Sequence, residues 1–264
     1  MTQVSPTPVR QRAKKAPVPD TALRKLLRGR HNSIRYRFVT RPREWLEYAL
    51  FRLKGGTWID YYTKRLDRAA ARSKDELARQ EYVVQGAEHF ALIKANGLKP
   101  DDRFLDYGCG ILRVGIHVIK YLAPNRYVGV EISKDRLARG QELAAQEGVP
   151  ADRYNTLVVH DCHLRELGGQ QFDFIWAWSV VNHMPDADVK EMLRAMRKHL
   201  APSGQFIFMF NDGDRTGRIG IKDFLVPRAT MQAWCEAAGF KFSLLPDVVQ
   251  DTYRLARLTL AAKA

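Results

Sequence analysis

An alternation of apolar segments with stretches of helical periodicity constrains the fold of residues 100–264 more than any other feature of the sequence. The segments predicted to be strands are 103–107, 126–131, 154–159, 172–178, 204–210, 240–245 and 254–261. Helical patterns separate the first five, at about 111–122, 134–147, 161–167 and 186–200. Apolar strands that alternate with helices indicate a parallel sheet covered on both faces.

The last two predicted strands follow each other too closely to be parallel. About eight residues join them, whereas a parallel crossover needs roughly a dozen or more. The final pair is therefore predicted to be antiparallel. The expected fold class is α/β, a doubly wound, mostly parallel seven-stranded sheet with an antiparallel last strand, preceded by a helical N-terminal extension.

Positive charge is concentrated at the start of the chain. The 264 residues have a formal net charge of +14, and residues 1–80 alone hold 20 Lys/Arg against 7 Asp/Glu. A region with this excess attracts RNA phosphates or anionic lipid headgroups. A solvated tail that aids solubility is the alternative interpretation.

Composition divides the chain into three stretches. We predict a disordered, basic, Pro-rich tail over 1–20, a basic helical extension or cap over 21–99, and the α/β domain over 100–264. Within the extension, apolar residues recur at helical spacing at Trp45, Leu46, Ala49, Leu50 and Leu53. Such a helix can pack on the protein body or lie on a membrane surface.

Several classes of protein are excluded or disfavoured. No apolar run approaches the roughly 18 residues of a membrane-spanning helix. Cys109, Cys162 and Cys235 are far apart, which argues against a disulfide framework or a cysteine-rich zinc site. Three histidines, His89, His117 and His163, show no metal-ligand spacing, so no metal is predicted. Without a recognisable signal peptide, the expected location is cytoplasmic, with attachment to a membrane periphery as an open alternative.

A glycine turn follows the first predicted strand. Gly108 and Gly110 allow a tight turn and a close approach of the backbone to a ligand. A dinucleotide-binding turn requires glycine at the position of Arg113, which disfavours a nicotinamide enzyme. Asp106, just before the turn, suits a ligand with a cationic or hydroxyl-rich group better than a polyanion.

Two further acidic residues follow the next two predicted strands. Glu131 closes the second strand, 21 residues beyond Gly110, where a carboxylate can accept both ribose hydroxyl protons. Asp161 follows the third strand and can accept from an exocyclic adenine amine, while the N–H of Cys162 can meet a ring nitrogen. Three acids at the ends of successive strands predict a nucleoside site.

On these residues the sequence resembles the class I S-adenosylmethionine-dependent methyltransferases over residues 100–264. The matching motifs are Asp106-x-Gly108-x-Gly110, Val130-Glu131-Ile132, His160-Asp161-Cys162, and Phe172-Asp173 with Asn182-His183. The resemblance implies S-adenosylmethionine as cofactor, bound by Asp106, Gly108, Cys109, Gly110, Glu131, Ile132, Asp161, Cys162, Trp178 and Tyr62. One departure is Leu112, where the family often has a third glycine.

The segment after the fourth strand bears on the methyl acceptor. It lacks the Asp/Asn-Pro-Pro-aromatic motif that grips a planar amide or amine, and no cysteine is placed for cytosine chemistry. His183 is the candidate general base, with a purely orienting role as the alternative. The polar loop that follows the fifth strand is predicted to bind the acceptor, or else to be solvated, through Asn211, Asp212, Arg215 and Arg218.

Three functions remain open on the sequence alone. The leading hypothesis is methyl transfer to a small molecule, with a saccharide or lipid-linked sugar hydroxyl as the acceptor. The second is an RNA-directed methyltransferase that grips phosphate through residues 1–80. The third is a non-catalytic regulatory protein that binds the cofactor without turnover.

Overall fold

The computed structural model describes residues 36–72, 80–246 and 252–262. The predicted tail over 1–20, and the extension as far as residue 35, lie outside these ranges. The contacts between residues group the chain into two units, with the boundary between Trp45 and Leu46. Before that point the chain forms a short π-helical turn, Tyr36–Thr40, and the start of helix α1, Arg41–Leu53. None of the described helices combines the length and the apolar character needed to span a bilayer.

The sheet contains seven strands in the order β3-β2-β1-β4-β5-β9-β8. Their bounds are β1 Phe104–Tyr107, β2 Tyr127–Glu131, β3 Tyr154–Val158, β4 Phe172–Ala177, β5 Leu200–Asn211, β8 Phe240–Leu244 and β9 Tyr253–Leu260. The pairs among β1 to β5 are parallel, and β9 is antiparallel to both of its neighbours. The predicted fold class is confirmed.

Helices cover both faces of the sheet. Beyond α1 they are α2 Trp58–Arg72, α3 Gln80–Ala95, α4 Gly115–Tyr121, α5 Lys134–Gln146, α6 Asp186–His199 and α7 Arg228–Ala237. Neighbouring residues of β1 face opposite ways: Phe104 packs into a cluster with Ile93 of α3, and Leu105 into a cluster with Met192 of α6. β1 and β2 are buried along their whole length. The sheet is therefore the middle layer of three.

Three local predictions differ from the structure. Helix α4 begins at Gly115 and not at residue 111, because Leu112 has a left-handed backbone (φ 58°) that no helix accommodates. The predicted short helix over 161–167 is a single 3₁₀ turn, Arg165–Leu167. The loop predicted over 211–220 contains a strand, β6, Gly217–Ile219, which forms a two-stranded hairpin with β7, Asp223–Leu225. Strands of three residues are too short to produce a detectable alternation.

Helix α2 is fixed against the domain by polar as well as apolar contacts. The indole Nε1 of Trp58 donates to the main-chain oxygen of His183 at 2.9 Å. Farther along the helix, Asp67 Oδ1 accepts from Ser133 Oγ at 2.5 Å, at the start of α5. These bonds place one side of α2 next to the carboxyl ends of the parallel strands.

Candidate functional site

A cavity of about 380 Å³ opens where β1 to β4 end, at the point where the strand order reverses. Clefts at this point are the usual ligand sites of doubly wound sheets. All the residues predicted to bind the cofactor line it, namely Tyr62, Asp106, Gly108, Cys109, Gly110, Glu131, Ile132, Asp161, Cys162 and Trp178. The structure thus brings the predicted cofactor residues together, and their roles stay predictions.

The glycine turn is held close to its neighbouring strands. The N–H groups of Gly108 and Cys109 both donate to the main-chain oxygen of Val130, at 2.8 and 3.0 Å. Gly108 has a φ of +78°, and a Cβ there would lie 2.4 Å from Cγ2 of Val180. Any side chain at this position would force the turn away from the segment after β4.

Leu112 adopts the backbone conformation that usually calls for glycine. Its φ is 58°, and its side chain is fully buried among the residues of α4 and α5. A left-handed backbone costs a residue with a Cβ about 1 kcal/mol. Burial of the leucine side chain offsets this cost. The turn therefore keeps a left-handed residue at this position although the residue is leucine and not glycine.

Substituting Leu112 separates these two effects. Leu112→Ala loses the buried side chain and keeps the strained backbone, so we expect the free energy of unfolding to fall by about 2–5 kcal/mol. Leu112→Gly loses the same packing without the strain, so it is expected to be about 1 kcal/mol more stable than Leu112→Ala. Urea unfolding of both variants measures the difference. An alanine variant at least as stable as the glycine variant would contradict this account.

Asp106 is buried beneath the turn. Only 2% of its surface is exposed, and its Oδ2 accepts from the hydroxyl of Tyr127 at 2.7 Å. Burial, helped by the nearby charge of Glu131, raises the pKa of Asp106 to about 7, although the Tyr127 hydrogen bond partly opposes the shift. A cationic ligand group next to this carboxyl would favour its ionised form.

The raised pKa of Asp106 predicts a pH-dependent effect of Asp106→Asn. From about pH 4 to pH 7 the unfolded chain has released a proton that the folded carboxyl still holds, so this group's contribution to stability falls as the pH rises. The asparagine side chain of the variant does not ionise, so the variant does not lose stability in this way as the pH rises. We expect the variant, without ligand, to gain several degrees in Tm over wild type at pH 8 and to lose the advantage towards pH 4. Melting curves across this range check it, with exposed Asp101→Asn as the control.

Glu131 organises the end of β2. One carboxylate oxygen accepts from the N–H of Gly110 at 2.9 Å, and the other from the N–H groups of Ile132 and Ser133 at 2.8 and 3.1 Å. The Nε of Arg136 lies 3.8 Å from the same carboxylate. Glu131 therefore connects the glycine turn of β1 to the first turn of α5, and its side chain is held in one orientation.

Asp161 and Cys162 form the part of the cavity wall that follows β3. Asp161 Oδ1 accepts from the N–H of His163 at 2.8 Å, which fixes a turn with the carboxylate at the cavity. Burial raises the pKa of the Cys162 thiol to about 12, so the thiol stays protonated and is a poor nucleophile near neutral pH. This wall thus offers a carboxylate and a neutral side chain.

Aromatic rings close the side of the cavity near β4. Trp178 stacks on Trp176 with ring centroids 5.6 Å apart and planes 12° from parallel. The ring centroids of His89 and Trp178 are 4.0 Å apart. Burial and the charge of Arg113 lower the pKa of His89 to about 4, so this imidazole is neutral near pH 7. The wall is flat and uncharged, apart from Arg113 itself.

His183 has a defined tautomer in the structure. Its Nδ1 lies 3.0 Å from Asp223 Oδ1 and 3.1 Å from the main-chain oxygen of Lys222, both of which are acceptors. Nδ1 therefore carries the hydrogen, and the opposite nitrogen, Nε2, is left as an acceptor. Nε2 lies 3.4 Å from both Ser179 Oγ and Asn182 Nδ2. This is the arrangement that a general base needs.

The sequence analysis did not identify Asp223, because this residue belongs to the hairpin that was not predicted. It lies 40 residues from His183, on β7. The cavity wall also contains one neutral histidine and four charged residues that the sequence analysis did not assign to it, namely His89, Arg113, Arg136, Asp188 and Lys222. A weak signal existed for Arg136, which follows Glu131 by five residues at the start of a helix. No local pattern marked Lys222.

The residues predicted to bind the acceptor do not line this cavity. They are Asn211, Asp212, Arg215 and Arg218. Asn211 is buried and donates to the main-chain oxygen of Phe224, and Asp212 accepts from the N–H of Arg228 at the start of α7. The guanidinium of Arg218 lies 4.8 Å from the ring centroid of Trp58, and Arg215 is exposed. Asn211 and Asp212 therefore stabilise the domain through these hydrogen bonds. Acceptor binding by the four residues stays a prediction.

In the described ranges, no group of three or more His, Cys, Asp or Glu side chains is arranged to hold a metal ion.

Comparison with known proteins agrees with this geometry. Residues 105–206 match the family described as "Methyltransferase domain". A probable methyltransferase, ltbC, of Aspergillus luteorubrus is 26% identical over 111 residues, which cover 40% of this chain and 39% of that protein. A probable chloroplastic tocopherol O-methyltransferase of Oryza sativa subsp. japonica is 27% identical over 144 residues, which cover 53% of this chain and 37% of that protein. The matches thus span under two fifths of these relatives' lengths.

A solved structure has the same fold. Magnesium protoporphyrin IX methyltransferase from Synechocystis PCC 6803, with bound S-adenosylmethionine, is 16% identical and superposes with a TM-score of 0.54, covering 68% of this chain and 79% of the other. Residues 105–206 of this chain thus match a methyltransferase domain, and the chain shares the fold of a methyltransferase with bound S-adenosylmethionine.

Proposed function

We propose that this protein transfers a methyl group from S-adenosylmethionine to a hydroxyl group of a small molecule, with a saccharide or lipid-linked sugar as the acceptor class. One observation carries the proposal. A histidine with its Nδ1 held by Asp223 and its Nε2 left as an acceptor lines the same cavity as the glycine turn and Glu131.

The residues of the cavity fit the cofactor. Gly108 provides a backbone surface without a side chain, where a methionine moiety can approach. Glu131 and Asp161 present carboxylates at the ends of successive strands, suited to ribose hydroxyls and an adenine amine. Asp106, near its pKa at neutral pH, suits an ammonium group. When bound, S-adenosylmethionine supplies an electrophilic methyl group on a sulfonium.

His183 supplies the base that a hydroxyl acceptor requires. A hydroxyl becomes a strong nucleophile only as its proton is removed, and Nε2 of His183 can accept that proton. Asp223 then stabilises the imidazolium through its bond to Nδ1. Burial raises the pKa of Tyr62 well above its ordinary value, so the tyrosine beside His183 stays a neutral wall that excludes water.

Oxygen as the acceptor atom has support from two sides. The rice relative is named an O-methyltransferase, and a general base is needed for a hydroxyl but not for an unprotonated amine. A sugar has support from the polar cavity wall on the His183 side, which includes Ser179 and Lys222. Hydroxyl-rich ligands match such a mixture of donors and acceptors.

The proposal is tested in two steps. Calorimetric titration with S-adenosylmethionine and S-adenosylhomocysteine establishes the cofactor site, with micromolar affinity expected. Transfer of a labelled methyl group is then measured on glycosides, lipid-linked sugars, phenols, amines and RNA. Cofactor binding without transfer to any acceptor would favour a regulatory protein, transfer to RNA would favour the second sequence hypothesis, and absence of cofactor binding would refute the proposal.

A further inference from the structure

Helix α1 presents a row of exposed leucines. Leu46, Leu50 and Leu53 are 62%, 51% and 83% exposed. Their spacing of four and then three residues places them on one side of the helix. We refer to these three residues as the leucine row. Exposed leucines that lie singly are ordinary on a protein surface, whereas an aligned row of them indicates a contact surface.

The row points away from the protein because the opposite side of α1 is packed. The ring of Tyr48 lies 5.4 Å from that of Trp58 and 5.0 Å from that of Tyr61, and Phe51 lies 5.8 Å from Tyr61. At 100° per residue, Tyr48 is about 140–160° around the helix from the leucines. The aromatic contacts with α2 therefore fix α1 with its leucine row facing outward.

A cationic groove runs beside the leucine row. It has a volume of about 260 Å³ and lies between α1 and α2, and Leu50 forms part of its wall. Its charged residues are Glu47, Lys54, Lys64, Arg65 and Arg68. Glu47 is paired with Arg68 at 2.5 Å, and the Nζ of Lys64 lies 4.7 Å from the ring centroid of Phe51. The groove thus has a net charge of +3 next to an apolar surface, a combination that suits phosphate headgroups.

The sequence ahead of α1 adds more charge of the same sign. Residues 1–35 contain nine Lys/Arg and one Asp, a net of +8. Basic segments next to an amphipathic helix are attracted to anionic leaflets, by about 1 kcal/mol per Lys or Arg near the surface. Any surface that α1 contacts through its leucines is therefore expected to carry negative charge.

We propose that the leucine row and the cationic groove dock this protein on an anionic lipid bilayer. Helix α1 lies in the interface, the leucines enter the acyl boundary, and lipid phosphates contact the groove. A bilayer explains both features, because exposed leucines gain nothing from a nucleic acid, which binds through cations and stacking aromatics. Docking is independent of the proposed methyl transfer, since the leucine row and the groove lie outside the cavity lining.

The test uses the full-length protein and sedimentation with vesicles. Wild type is expected to bind vesicles of phosphatidylcholine with phosphatidylglycerol and to bind pure phosphatidylcholine weakly. Leu46→Ser/Leu50→Ser/Leu53→Ser is expected to lower the partition coefficient about tenfold or more. Leu46→Met/Leu50→Met/Leu53→Met keeps the apolar row and serves as the matched control, within about twofold of wild type.

Charge is tested separately. Lys54→Gln/Lys64→Gln is expected to lower vesicle binding about tenfold, whereas the exposed lysines of the control Lys198→Gln/Lys241→Gln lie elsewhere and leave it unchanged. Circular dichroism and cofactor titration verify that every variant is folded. Serine variants that bind vesicles as tightly as wild type would overturn the proposal. So would a wild-type protein that binds RNA but no vesicles, or that binds neither.

Discussion

Replacing Glu131 with alanine is expected to weaken the binding of S-adenosylmethionine by about 100-fold or more. The carboxylate accepts from the N–H of Gly110, Ile132 and Ser133, so its loss leaves three donors unpaired and releases the glycine turn from the end of β2. It also removes the acceptor proposed for the ribose. Hydrogen bonds to a charged group are worth about 1.5–3 kcal/mol each, and 1.4 kcal/mol is tenfold in affinity.

Two further variants make this prediction specific. Glu131→Gln keeps the shape but turns an N–H toward a backbone donor, so its affinity should fall between those of wild type and Glu131→Ala. Asp173→Asn is the control, because Asp173 also accepts from a backbone N–H, that of Arg103 at 2.9 Å, outside the cavity lining. Calorimetry gives the three affinities. A folded Glu131→Ala protein that binds the cofactor as wild type does would remove Glu131 from the site.

Loss of the proposed base is expected to affect the rate and not cofactor binding. His183→Ala should lower kcat about 100- to 10,000-fold, the range attributed to general bases, while the cofactor affinity stays within about threefold. Asp223→Asn should lower kcat about 100-fold, because the amide can present an N–H to Nδ1 and favour the wrong tautomer. Both rates are measured under saturating cofactor, once an acceptor is known.

A purely orienting role for His183 gives a different pattern. In that case cofactor affinity would change with the rate, and added imidazole would not restore activity to His183→Ala. If His183 is the base, imidazole is expected to restore part of kcat, and the pH dependence of the rate should flatten in His183→Ala. His199→Gln is the control, because His199 is a buried histidine whose Nδ1 lies 2.8 Å from the main-chain oxygen of Gln170, outside the cavity lining.

The sequence predicted the sheet well because its strands are apolar along their length and separated by helices. Six of the seven strands were predicted to within one residue of their observed bounds. The exception is β5, which begins at Leu200, where the chain passes directly from α6 into the sheet and pairs with Phe172. A helix and a strand that meet without an intervening turn give no signal at their boundary.

The sequence indicated which residues at the strand ends line the cavity, and it gave no indication of those that come from elsewhere. Asp106, Glu131 and Asp161 lie at predictable positions because parallel strands end at one edge of the sheet. A short hairpin brings Lys222 to the cavity and Asp223 to His183, and nothing in their local sequence indicates the path of that hairpin. The predicted acceptor residues follow β5, and one of them, Asp212, accepts from the N–H of Arg228 at the start of α7.

The position of β9 has a consequence for how the chain folds. This strand lies between β5 and β8 and comes last of the nine strands in the described ranges, so residues 253–260 are synthesised after both of their neighbours. Until they arrive, β5 and β8 each present an open edge with unpaired backbone groups, which is a template for aggregation. A chain that stops before residue 253 would keep every residue of the cavity yet lack the strand that closes its sheet. Late insertion of an interior strand therefore makes the docking of residues 253–260, and not the assembly of the half that holds the cavity, the expected slow and vulnerable step.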